Sequence, residues 1–348
     1  MQVIDGIDCL FDQNLYDEHG LNCFYVPKYI ATQAYGQQNP DLFYLYFYFY
    51  LHYNVRSDPQ FPQPYNNDSL DLTEAFVLKE KLGLEIAALP ADEDLVLKIE
   101  EQVRNGWPVF VPVNKKAIFY CEEYLKKDHP HLTLIKGFDS ERKVFVIQDG
   151  EHNVSLTNSK PYPALRTRTG DVCSQFYMLY EMLESGYRLY NESFEYMRGT
   201  IKVLKPLTSP VTAPASGVLT DLSGMILEYA GQEEQLIGPK FDYLLNHDTG
   251  MGMAYANTQK VLFKMILKFM AANEEDPARI AQTQTLMNDC HEAWKKLIHF
   301  VMFIHKREQG SAEETQKNQT VISQFQEEII QLERKLLDQL ARIGTAVA

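Results

Sequence analysis

Two kinds of hydrophobic patterning divide this chain. Up to about residue 205, short apolar runs bounded by Gly, Asn and Asp are interleaved with stretches whose apolar residues recur every three or four positions, which predicts strands mixed with helices. Beyond about residue 218 only the helical spacing remains, over segments too long for strands. The run from Lys205 to Gly217 separates them; Pro206, Pro210 and Pro214 forbid a continuous helix or a central strand there. The pattern predicts an α+β domain over 1–205, a linker over 206–217 and a helical bundle over 218–348.

Within the first region, Cys23 to Tyr35 reads as a helix stopped by Gly36, with Pro27 confined to its first turn. Leu42 to Tyr53 is almost wholly aromatic or aliphatic, a composition that predicts a strand buried on both faces. Leu72–Leu82 and Asp94–Arg104 read as helices, and Pro108–Val113 as a strand whose prolines put it near an edge or at strand ends. His131–Gly137 and Lys143–Asp149 form a hairpin with turn residues between them. Phe176–Tyr196 is an amphipathic helix and Thr200–Leu204 a short strand. In the second region, helices are predicted at Leu219–Glu234, Lys240–Ala272, Pro277–Gln309 and Glu313–Ile343, with an interruption at Asn246–Met253. Pro277 follows Asp276 at a helix start, and Ser311-Ala-Glu-Glu314 has the spacing of a capping box.

Composition narrows the function. Forty-five per cent of the 348 residues are hydrophobic, enough for sizeable cores. No apolar run is long enough for a membrane helix and the N-terminus lacks a basic and apolar leader, so a cytoplasmic protein is expected. A net charge of −14 argues against a nucleic-acid partner, whose backbone demands clustered Lys and Arg. Five scattered cysteines without CxxC spacing argue against a disulfide framework or structural zinc. His291, His299 and His305 do not share the tight helical face of a zinc pair, and His247-Asp248 reads as surface; no metal or cofactor is expected.

Nucleophilic catalysis by a thiol needs a neighbouring imidazole, an orienting polar group and, preferably, a helix N-terminus to stabilise the thiolate. Cys23 opens a predicted helix, and His131 and Asp149 lie on the two paired hairpin strands. Each residue alone is ordinary: a small buried hydrophobe, a strand-end histidine, a turn aspartate. Their arrangement is what suggests a site.

The runs Asn105-Gly-Trp-Pro-Val-Phe-Val-Pro-Val-Asn114 and His131 to Asp149 resemble the second half of a papain-like fold of the bacteriocin-processing-peptidase-like group, most of all its butirosin-biosynthesis acyltransferase branch. The shared features are a G-x-P-V-x-V-x-V-D/N strand, a tyrosine-containing intervening segment and an H-x-x-x-I/V-x-G-F/Y-D hairpin ending in Asp. The resemblance is specific over 105–149, loose over 1–104 and architectural only beyond 218. It implies a papain-like domain with a central antiparallel sheet and a catalytic helix, His131 as general base and acid, and Asp149 as its orienting partner.

Two cysteines compete as nucleophile. Cys9 sits in an Asp-Cys-Leu context, but the following segment is polar; Cys23 leads the more apolar helix. Asn22 is the oxyanion candidate, with Gln13 the other amide in range. The resemblance implies acyl transfer from a thioester, such as the phosphopantetheine arm of an acyl carrier protein, to an amine, in bacterial natural-product assembly. A papain-like peptidase or amidase, with water as acceptor, and a non-catalytic interaction protein are the alternatives. The last helix could pair with another chain to form a homo-oligomer.

Overall fold

The computed structural model describes residues 1–7, 24–36, 39–52, 67–91, 94–119, 121, 123–148, 175–207, 221–222, 224–225, 241, 249–273, 276–306 and 312–342. The chain divides into two compact units, one of 1–43 with 78–211 and one of 44–77 with 212–348. Residues 44–77, which the hydrophobic pattern groups with the first region, fall in the second of these units.

The first unit is an α+β structure around an antiparallel sheet. Its strands are β1 (Gln2–Val3), β2 (Leu84–Pro90), β3 (Val109–Asn114), β4 (Pro130–Asp139), β5 (Val144–Gln148), β6 (Gln175–Leu179) and β7 (Thr200–Pro206). The order is β2-β7-β3-β4-β5-β6, with β1 pairing the far end of β4. β3 is therefore interior rather than at an edge, and its prolines are accommodated by register. The Leu204 N–H donates to the Pro108 carbonyl, so residues 108, 110 and 112 turn their backbone groups toward β7. β7 pairs with β3 only at Val109 and Phe110, so Pro112, which has no N–H, faces a side where pairing has already stopped.

The hairpin of β4 and β5 forms as the pattern predicts, with Lys143 at φ 54° in its turn and Asp139 Oδ1 accepting the N–H groups of Glu141 and Arg142. Helix α1 (Val26–Ala31) starts three residues later than the expected opening at Cys23, after a turn at Phe24-Tyr25, so the expected stabilisation of a Cys23 thiolate by the first residue of a helix is not supported. It carries Pro27 in its first turn, continues as a 3-10 turn over Thr32–Tyr35 and ends at Gly36, φ 147°. Helix α2 (Asn39–His52) replaces the strand expected over Leu42–Tyr53. Tyr44 and Tyr48 stack at 5.8 Å, which four-residue helical spacing allows and an extended strand does not. Helix α3 (Asn67–Phe76) and a π turn (Val77–Lys81) lead to Gly83, φ 67°. Helix α4 (Leu95–Arg104) ends at Asn105-Gly106, as expected. The predicted helix Phe176–Tyr196 is split, because Phe176 to Leu179 lie in β6, and helix α5 covers only Tyr180–Ser193.

Helices α4 and α5 cover one face of the sheet. Ile99 and Val103 of α4, Leu183 and Tyr187 of α5, Val109, Val111 and Val113 of β3, Ile135 of β4 and Ile147 of β5 form one buried cluster. Gly186 lets α5 lie close: a Cβ there would meet Ile118 Cδ1 at 3.1 Å and Val113 Cβ at 3.3 Å. Glu100 ties the layers together, accepting from the Tyr180 hydroxyl at 2.7 Å and pairing with Arg104, whose guanidinium lies over the Phe138 ring.

In the second unit the described helices include α6 (Thr249–Asn273), α7 (Pro277–Lys306) and α8 (Ala312–Ala341), with α7 packed on both others. Asp276 caps α7, its Oδ1 accepting the Ala278 N–H at 2.9 Å. Trp294 is fully buried, stacks on Phe241 and donates its indole N–H to the equally buried Glu333. The predicted helix Leu219–Glu234 falls mostly outside the described residues, as does Ser311 of the capping box. Of the expected interruption at Asn246–Met253, residues 249–253 are instead the first residues of α6, and 246–248 lie outside the described residues. Among the described residues no helix is long and apolar enough to cross a membrane.

Candidate active site

His131 is the second residue of β4 and pairs with Val113 of β3. Cross-strand partners share a face, and Val113 packs against Gly186 of α5, so the imidazole lies on the α5 side of the sheet. It is 1% exposed. Tyr29, Ile30 and Ala31, the buried apolar residues of α1, do not belong to the cluster on that face.

Direction along the sheet is a separate matter. β7 runs antiparallel to β3 and pairs Lys202 with Phe110, so the turn before β7 lies at the end of the sheet where β3 finishes and β4 begins. Ser193, at the end of α5, confirms this placement by accepting a hydrogen bond from Asn114, the last residue of β3. Phe24 packs edge-on against Tyr196 in that same turn, ring centroids 5.6 Å apart. At the other end of the α1 segment, the Tyr35 hydroxyl donates to the Leu204 carbonyl, near the start of β3. Helix α1 therefore begins at the end of the sheet that carries His131 and runs away from it.

The β3–β4 connection at this end is organised by Asn114, which the sequence motif includes as its last residue without assigning it a role. Asn114 is completely buried. Its Nδ2 donates to Asp128 Oδ1 at 2.9 Å and Ser193 Oγ at 3.3 Å, while its Oδ1 accepts the N–H groups of Lys116 and His129, each at 3.1 Å. The Asn114 hydrogen bond, followed by that from Lys116, holds the Asp128 carboxyl below the usual carboxylate range. An asparagine at the end of an apolar strand and immediately before a polar turn is a cap signal that could have drawn attention to it.

Cys23, Cys9, Asn22, Gln13 and Asp149 lie outside the described residues, as does Cys173. Cys121 and Cys290 are buried and form no disulfide. His291, His299 and His305 all lie on α7; among the described residues no three His, Cys, Asp or Glu side chains gather as a metal site. A groove of about 570 Å³ runs along the outer side of α5, lined by Leu95, Glu181, Glu184, Arg188 and Arg198 among others. Arg198 is already engaged by Glu195 and the Asn191 carbonyl. No protein-family model matches the chain, and no curated protein matches it.

Proposed function

We propose that the first unit is a papain-like cysteine acyltransferase, acting in the cytoplasm in natural-product assembly and joining an acyl group to an amine. The observation that carries this reading is the contact of Phe24 with Tyr196 at the His131 end of the sheet. Cys23 precedes Phe24 in the chain, and the reading requires its thiol to meet the imidazole at this end of the sheet. In this reading the Cys23 thiolate attacks the carbonyl of a carrier-protein thioester, and the departing phosphopantetheine thiolate takes the proton held by His131. The amine then attacks the acyl-enzyme, passes a proton to His131 and releases the Cys23 thiolate with formation of an amide. Asp149 orients the imidazole, and Asn22 or the Cys23 N–H serves the oxyanion. Cys9 is the alternative nucleophile, and water in place of the amine would make the same site a peptidase or amidase.

A second reading, a non-catalytic interaction protein on the same fold, is favoured by a different observation: His131 is nearly fully buried on the α5 side, among core residues. One experiment separates the two. The protein is incubated with acyl-thioester surrogates and its intact mass followed. Transfer predicts an adduct on the wild type and on Cys9→Ala that is lost in Cys23→Ala and strongly slowed in His131→Ala. The reverse cysteine pattern reassigns the nucleophile, and absence of any adduct leaves the non-catalytic reading. Added amines then discharge the adduct as amide if the enzyme transfers, or leave water as the acceptor if it hydrolyses.

A further inference from the structure

The strand that carries His131 enters the sheet through a hydrogen-bonded hub centred on one side chain, and we propose that Asn114 is the positioning residue for His131. This rests on the acyltransferase reading above for its catalytic consequence, though not for its geometry. Asn114 pairs with Pro130 in the β3–β4 register, one residue before His131. Its Oδ1 holds the His129 N–H, and the neighbouring Lys115 N–H donates back to the His129 carbonyl at 2.9 Å. Both backbone groups of the residue two before His131 are thereby held from the end of β3. Pro130 then joins this clamp to His131 through a residue of restricted φ.

The same amide reaches the helix packed on the cross-strand partner of His131. Its Nδ2 bonds Ser193 at the C-terminal end of α5, the helix that packs through Gly186 on Val113, directly across from His131. One side chain thus links the entry of β4 to the helix that packs on Val113, the cross-strand partner of His131. Its third element is Asp128, itself bonded to Lys116 at 3.2 Å, which closes the long connection between the two strands.

The chemistry requires an amide at this position. Two donors and two acceptor contacts are used at once, a combination that Asp, Ser or Ala cannot supply. In Asn114→Asp an oxygen replaces the NH₂ group and faces the Asp128 carboxylate. Exchanging the two, as Asn114→Asp with Asp128→Asn, restores a donor–acceptor pair between positions 114 and 128 with its direction reversed.

The test reads His131 itself. The imidazole signals of full-length protein labelled at histidine are assigned with His131→Gln and followed by NMR, alongside the rate of acyl-adduct formation from the thioester surrogate. Asn114→Ala and Asn114→Asp are expected to move the His131 signals and to slow acylation by about tenfold or more, through misplacement rather than weakened surrogate binding. The double variant Asn114→Asp/Asp128→Asn is expected to recover both toward wild type, which a loss of general stability would not produce. Unchanged His131 signals in Asn114→Ala would overturn the inference. So would a double variant no closer to wild type than Asn114→Asp, a comparison that stands even if the alanine variant does not fold. If the wild type forms no adduct, the acyltransferase reading fails, while the NMR comparison still decides whether Asn114 positions the imidazole.

Discussion

At Gly137 the chain has no room for a side chain. A Cβ there would lie 2.6 Å from the Gln2 carbonyl oxygen and 3.1 Å from Val146 Cβ, because β1 and β5 flank β4 just after its bulge between Ile135 and Gly137. Gly137→Ala is expected to destabilise the protein by roughly 1–3 kcal/mol, the usual cost of overpacking, as measured by urea unfolding. The Ile4 N–H, which donates to the Lys136 carbonyl, should lose its hydrogen-exchange protection with it. An unchanged midpoint with Ile4 still protected would contradict this account. Asp128 yields a pH prediction. Its folded-state carboxyl is held down first by the Asn114 hydrogen bond and then by that from Lys116, so its contribution is complete above the ordinary carboxylate range. That contribution disappears as pH falls through the lowered folded value. The acid limb of a melting-temperature profile should therefore flatten in Asp128→Asn; an identical limb in both proteins would rule Asp128 out as a contributor. Of the residues with proposed chemistry, His131 could be placed by sequence because strand pairing exposes it to pattern reading. The strand end at Asn114 was equally legible, but its role as a hub was not, because its partners at 128 and 193 are distant in sequence and meet only when the sheet closes.

The elements that sequence reading placed well are those with local punctuation. Pro27 and Gly36 bound the α1 segment, Asn105-Gly106 end α4, Asp276-Pro277 open α7, and the hairpin has its own turn residues. Helix α2 was misread because Tyr and Phe favour strands by composition and the run has no polar face to reveal a helical period. The signals for helix were its length of 14 residues and the Pro40-Asp41 start, both outweighed by composition. Burial around most of the helix accounts for the missing period, with every residue from Phe43 to Tyr50 no more than 9% exposed. Phe47→Ala is expected to cost about 3–5 kcal/mol, the range for emptying a buried aromatic site. Chemical denaturation checks it, and a loss under 1 kcal/mol would mean that the residue is not packed as described. β6 and α5 were merged for the related reason that a buried strand running straight into a helix leaves no polar break between them.

For the whole molecule, the unit that contains the long helices is assembled from two separated stretches, 44–77 and 212–348. The first stretch supplies buried aromatic residues, among them Phe47 and Tyr48, that the C-terminal stretch cannot replace. Residues 212–348 produced alone should accordingly resist protease less well than the same residues co-expressed with 44–77. Equal resistance would show that the helices are self-sufficient. What the sequence alone determined is the α+β character of the first unit, the helical character of the last third, and the hairpin with His131 near its start, since each depends on periodicity and turn residues within a short span. The tertiary structure decided that α2 is a helix, that β3 is interior with Pro112 beyond its β7 pairing, and that Asn114 is a hub. It also decided that His131 lies on the α5 face at the end of the sheet where α1 begins. Those outcomes depend on which distant residues share a buried surface, and burial changes the free energy of a strand, a proline or an amide far more than its sequence neighbours do.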